Sequence, residues 1–204
     1  HDGGRIKIDA GIHAEYTSNY KLWEGLVGFA AEKKLGFQLH LAETKGETES
    51  CLDRTGLGPA ELLGCHGIWG LPVTAVGCAT ISEEEQKLLG KKKATAVACP
   101  LTAAKKGQPV TPVLDCVRAG MNVALGTGGA LDAGNLDLFE VMRGLAMAAR
   151  STRENASALP ASAALMMATS CGARAQGREN ECGMIKVGMD ADLCLVDFSA
   201  PHLI

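Results

Sequence analysis

Aromatic residues are scarce in this chain. Phe, Trp and Tyr make up 4% of 204 residues, so the core must be packed from Ala, Val, Leu, Ile and Met rather than from large rings. Long apolar runs are missing as well. No stretch approaches the about 20 residues that a helix needs to cross a bilayer, and a membrane partner is not expected. Basic runs are short, Lys91-Lys92-Lys93 being the densest, and 20 Lys+Arg are outnumbered by 23 Asp+Glu. A nucleic-acid partner is therefore not expected either. The eight cysteines contain no Cys-x-x-Cys pair. Cys78 and Cys99 lie inside apolar runs, where a free thiol acts as a small buried hydrophobe. Reduced core thiols in a cytoplasmic protein are one reading, and disulfides or metal ligation are the other. The first residues, His1-Asp2-Gly3-Gly4-Arg5, have no signal-peptide pattern and no initiating Met, so a longer parent chain is expected.

What is present suits a soluble domain. The chain is 47% hydrophobic and 21% charged with a formal net charge of −3, enough apolar material for a core. Gly is abundant, 25 of 204 residues, which fits a fold rich in short βα turns. Arg5–His13, Phe37–Ala42, Val73–Ile81, Ala94–Cys99 and Asn122–Leu125 read as strands. Helical spacing fills the gaps between them. Leu22, Leu26, Phe29 and Ala30 recur after a Thr17/Ser18 cap and stop at Gly36. Ser82 and Glu85 form a capping box. Val110–Ala119 reads as a helix, as does the stretch carrying Leu138, Met142, Leu145 and Ala149, and Ala161–Ala173 as another. Strands read as continuously apolar and alternating with helices predict a parallel sheet covered by helices. Met184–Val187 and Leu193–Val196 flank Gly188-Met189-Asp190-Ala191 and predict a small antiparallel hairpin.

Sites in parallel βα folds lie at the C-terminal ends of the strands. His13 ends the first predicted strand. His40 lies in the second and Glu43 follows it by three residues. A strand His followed by a strand-end Glu suits a metal ligand with a proton carrier. It suits equally a hydrogen-bonded His beside a helix-capping Glu, and the residues alone leave both open. Cys65-His66 on a Gly-flanked loop reads as structural rather than as metal-binding.

Longer motifs add to this. Gly11-Ile12-His13-Ala14-Glu15-Tyr16-Thr17-Ser18, Leu39-His40-Leu41-Ala42-Glu43-Thr44 and Val123-Ala124-Leu125-Gly126-Thr127 occur in that order. They are followed by Asn135-Leu136-Asp137-Leu138-Phe139-Glu140-Val141-Met142-Arg143 and by Gly183-Met184-Ile185-Lys186-Val187-Gly188-Met189-Asp190-Ala191-Asp192-Leu193. Together they resemble the amidohydrolase superfamily, in its branch of methylthioadenosine/S-adenosylhomocysteine deaminases, guanine deaminases and triazine chlorohydrolases. The resemblance implies a (β/α)8 TIM-type barrel, of which this chain holds the C-terminal half, strands four to eight. It implies a partial barrel over residues 1–180 and, over 181–204, a β segment of the small composite sandwich. A complete barrel needs about 250 residues.

The resemblance also implies roles. His40 matches a metal ligand, Glu43 the catalytic proton carrier, and His13 a substrate-binding residue. The implied cofactor is one divalent ion, zinc or iron, or none in this chain. The implied substrate is a small N-heterocycle such as a purine or nucleoside, and the implied reaction is hydrolytic deamination or dechlorination. Two positions depart from the pattern: Gly77 stands where the family has a His that assists water, and Gly128 where it has an Asp ligand and base. Restoring His and Asp there is expected to raise metal affinity. Three readings follow: a degenerate hydrolase, an enzyme with an altered metal site, or a non-enzymatic binding or assembly subunit. An open half-barrel is expected to expose an apolar face and to form a homo-oligomer or depend on the missing N-terminal half.

Overall fold

The computed structural model describes residues 4, 6–197 and 199. Five strands form one sheet in chain order, β1 (Ala10–Gly11), β2 (Phe37–Leu41), β3 (Val73–Gly77), β4 (Thr95–Ala98) and β5 (Asn122–Leu125). Every neighbouring pair is parallel, with Phe37 opposite Val73, Ala75 opposite Ala96 and Ala96 opposite Val123. Ten α-helices occur among the described residues. They are α1 (Tyr20–Lys33), α2 (Lys45–Thr55), α3 (Pro59–Cys65), α4 (Glu83–Lys91), α5 (Pro100–Lys105), α6 (Val113–Arg118), α7 (Ala130–Ala133), α8 (Leu138–Arg153), α9 (Ala161–Ala168) and α10 (Ser170–Ala175). None is long and apolar enough to cross a membrane.

Local chemistry explains the boundaries. Asn19, not Thr17 or Ser18, caps α1 by accepting the Leu22 N–H at 3.2 Å. Ser18 instead accepts the indole N–H of Trp23 at 2.6 Å. The helix ends at Lys34, whose left-handed φ of 55° turns the chain before Gly36 is reached. Ser82 and Glu85 form the capping box of α4. The expected helix over 161–173 breaks into α9 and α10 at Thr169.

One face of the sheet carries Phe37, Leu39, Leu41, Val73, Ala75, Ala96 and Val123, all buried in the core with Leu63, Leu89 and Leu145 from the covering helices. The other face carries two rows: Val76, Val97 and Ala124 line up beside His40, and a polar row lies nearer the strand starts. Register places Gln38, Thr74, Thr95 and Asn122 in one row across it. Helix α10 covers part of that row: Thr74 donates its hydroxyl proton to the Ala175 carbonyl at 3.0 Å, and the Asn122 amide donates to Thr95 Oγ1 at 3.1 Å and to the Cys171 carbonyl at 2.9 Å. The face toward the helices is apolar throughout, and the opposite face is polar only in the row of Gln38, Thr74, Thr95 and Asn122.

The first strand is shorter than Arg5–His13. Gly11 approaches the Gln38 carbonyl so closely that a Cβ would sit 2.9 Å from it. Met184–Val187 and Leu193–Val196 form no strands. Val187 and Leu195 are fully exposed, and a lone hairpin with no sheet to pack on is marginal in water. His1 and His202 lie outside the described residues.

Candidate functional site

His13 and His40 meet at the C-terminal ends of β1 and β2, with ring centroids 4.9 Å apart. His40 N–H donates to the His13 carbonyl at 2.8 Å, which extends the β1–β2 pairing past the short strand. The same carbonyl lies 2.9 Å from His40 Nδ1. A carbonyl only accepts, so the His40 ring donates through Nδ1, and Nε2 is the nitrogen left to face another partner. Tyr16 sits beside the pair, its hydroxyl 3.5 Å from His13 Nε2. Burial and then the charges of Glu47 and Glu43 raise the Tyr16 pKa, while Lys106 lowers it, so these groups share one rim. Glu15, two residues after His13, is 2% exposed, and Arg54 bridges both its oxygens at 2.8 and 2.9 Å.

Glu43 follows a strained turn. Ala42 is buried with φ of 48°, a left-handed conformation unfavourable for a residue with a Cβ. Both polar groups of its backbone are tied. The N–H donates to Glu47 Oε1 at 2.8 Å, and the carbonyl accepts Ala79 N–H and Thr80 N–H at 3.0 Å each. Glu43 N–H donates to Glu47 Oε2 at 2.8 Å. Burial raises the Glu47 pKa, backbone hydrogen bonds from Glu43 and Ala42 oppose that, and the Glu43 charge adds to it.

The rim over β3 to β5 is different. Gly77 has φ of +98°, and a Cβ there would meet Glu43 Cγ at 2.5 Å. Gly128 has φ of +74°, and a Cβ there would meet Thr102 Oγ1 at 2.6 Å. A His or Asp at these positions would sit on left-handed backbone and would have to displace the Glu43 or Thr102 side chain. Burial pushes the Cys99 thiol up to about 11, so in the absence of a metal it stays protonated at neutral pH. All eight cysteines are free. His66 pairs with Glu24 at 2.9 Å and packs on Tyr20 and Trp23, a structural role.

A catalytic zinc site takes three protein ligands. Among the described residues no group of three or more His, Cys, Asp or Glu side chains can hold a metal ion. The residues present offer His40 alone from the implied set, and they do not fit a catalytic zinc or iron by themselves. A concavity of about 1070 Å³ opens at the opposite end of the sheet, between Lys34, Gly36, Thr74, Lys93 and Arg174. Lys34 and Lys93 stand at the C-terminal ends of α1 and α4, where cations offset the helix dipole. That concavity has no part in the site.

A parallel βα half-barrel with His, His and Glu at the C-terminal strand ends defines a protein of the TIM-barrel hydrolase type. The match is specific: the Amidohydrolase family corresponds to residues 1–203, and the chain belongs to that family. It is 40% identical over 200 residues to a 5-methylthioadenosine/S-adenosylhomocysteine deaminase of Moorella thermoacetica, covering 98% of this chain and 47% of that protein. A deaminase of the same name from Pelotomaculum thermopropionicum is 38% identical, covering 98% and 46%. A zinc-bound adenosine deaminase structure from Xanthomonas campestris superposes with a TM-score of 0.91 at 32% identity, over 98% of this chain and 46% of that one. A guanine deaminase from C. acetobutylicum, at 24% identity and a TM-score of 0.77 over 87% and 43%, shares the fold. The chain thus spans about half the length of the curated relatives it matches.

Sequence reading missed Glu47, Thr80 and Tyr16. A signal for Glu47 was present, since Thr44-x-x-Glu47 has the capping-box pattern. Nothing in the sequence reveals Thr80, whose hydroxyl donates to the carbonyls of Ala42 at 3.0 Å and Thr44 at 3.2 Å.

Proposed function

We propose that this chain supplies the ring-recognising and proton-transferring half of an amidohydrolase that takes a purine nucleoside or a related N-heterocycle. The inherited reaction is hydrolytic deamination: water oxygen bonds to the aminated ring carbon, the C–N bond breaks, and ammonia leaves. In that scheme His13 contacts the substrate, Glu43 carries a proton to the ring nitrogen, and His40 presents Nε2 to a divalent ion. Such an ion lowers the pKa of bound water when present, and the described residues do not hold one alone.

The observation that carries this reading is the convergence of His13, His40 and the clamped Glu43 turn at one strand end, in a chain similar to named deaminases. The same rim favours a second reading. Gly77 and Gly128 have left-handed backbone beside Glu43 and Thr102, which suits a family member that binds the heterocycle and no longer turns it over. The outer edges of β1 and β5 have no strand beside them among the described residues, which supports completion by polypeptide outside this chain or by a second copy.

The test pairs binding with turnover. Calorimetric titration with adenosine, 5-methylthioadenosine and guanine is run beside an ammonia-release assay, with added zinc or iron. Saturable binding that Glu43→Gln and His13→Ala weaken, with ammonia release strongly reduced or lost, is the expected result. No binding of any member of the panel contradicts the reading.

A further inference from the structure

We propose that Glu47 is the positioning residue of the proton carrier: its carboxylate holds the left-handed Ala42–Glu43 turn and so fixes where Glu43 projects. This rests on the reading of Glu43 given above.

The molecule contains its own control. Helices α2 and α4 begin at the same place in successive βα units, and each has a Glu at its third position. At α4, Glu85 forms an ordinary capping box. Its Oε2 accepts the N–H of the cap residue Ser82 at 2.8 Å, and its Oε1 accepts Ala60 N–H at 2.8 Å. The N-cap bond is the same in both, Thr44 Oγ1 accepting Glu47 N–H at 3.1 Å as Ser82 Oγ accepts Glu85 N–H at 3.1 Å. The Glu47 carboxylate reaches further back, outside the helix, to the N–H groups of Glu43 and Ala42. One oxygen serves each, so both oxygens of the side chain are used.

The turn needs holding. Ala42 is buried and left-handed, and its carbonyl is fixed from the other side by Ala79 and Thr80. Glu47 closes that collar at Glu43, whose Cγ lies beside Gly77 at the end of β3. Burial disfavours the Glu47 charge, and Glu43 brings a like charge beside it. A group that merely ended a helix would gain nothing from this placement. One that orders a proton carrier does, since strain persists where neighbouring structure over-determines it.

The test is amide hydrogen exchange on Glu47→Gln, with Glu85→Gln as the comparison and thermal midpoints for both. Glutamine has one acceptor oxygen, so exchange at Ala42 and Glu43 should rise about tenfold, while the rest of α2 and the midpoint stay within about 2 °C. Glu47→Asp keeps the charge but withdraws the oxygens, and it should loosen the same two amides. The Glu43 carboxyl, followed by NMR titration, should shift in Glu47→Gln and not in Glu85→Gln. Unchanged exchange at Ala42 and Glu43 overturns the proposal. So does a fall in midpoint with exchange rising along all of α2, or failure of both Glu47 variants to fold, because either makes Glu47 a simple cap. A chain that releases no ammonia leaves this result intact, which separates it from the reading of Glu43.

Discussion

The rim over β1 and β2 and the rim over β3 to β5 stand at the same end of one sheet and have parted company. The first carries His13, His40 with its Nε2 left to face another partner, and Glu43 on a turn tied by Glu47 and Thr80. The second carries Gly77 and Gly128, both with positive φ, and a Cys99 thiol held protonated by burial. The difference lies in the backbone of the second rim as well as in its side chains. That backbone has settled where only glycine is comfortable, and Glu43 and Thr102 occupy the space beside it. The fold tolerates this because the buried face of the sheet, from Phe37 to Val123, is built by other residues.

The largest effect should come from forcing the second rim to resemble the first. Gly77→His combined with Gly128→Asp places two side chains on left-handed backbone, at about 1–3 kcal/mol each. Thermal unfolding should show a loss of several degrees, and zinc titration should show no gain in affinity. A stable double variant that binds zinc tightly would erase the contrast between the rims.

Arg54→Ala attacks the first rim from behind. It removes the guanidinium that bridges the buried Glu15 carboxylate, and an unsatisfied buried acceptor costs about 1–3 kcal/mol. Denaturant unfolding measures this, and an unchanged midpoint would mean that water replaces Arg54 at no cost. Thr80→Val should be milder, about 1 kcal/mol for one lost hydroxyl donor. Exchange at the Ala79 and Thr80 amides should report the loosened collar.

The smallest effect concerns pH. The Glu47 pKa lies above the usual 4.5, first because of burial. A raised carboxylate favours the protonated fold. Its contribution is full below the usual value and is lost as pH rises through the raised one. Glu47→Gln should remove the fall in stability that sets in as pH rises past 4.5. A slope that persists in the variant belongs to another group.

Much of the fold was legible. Five short runs set the five strands and their order, and Asn122–Leu125 was read to the residue. The capping box at Ser82 fixed the start of α4. The polar row was harder. Gln38, Thr74, Thr95 and Asn122 are one residue each in runs otherwise apolar, and only the register lines them up. The hairpin near the end failed because alternation in Met184–Val187 and Leu193–Val196 states a capacity to pair, not a partner. At the site, His13, His40 and Glu43 announced themselves by type and spacing. The left-handed backbone at Gly77 and Gly128 did not, because φ is a property of the folded turn.

The central claim is that this chain keeps the substrate-facing rim and does not by itself hold a catalytic metal. Elemental analysis of the purified protein, after expression with zinc and iron supplied, tests that directly. The account predicts zinc and iron far below one ion per chain. Zinc or iron close to one per chain, resistant to dialysis and lost in His40→Ala, would contradict it.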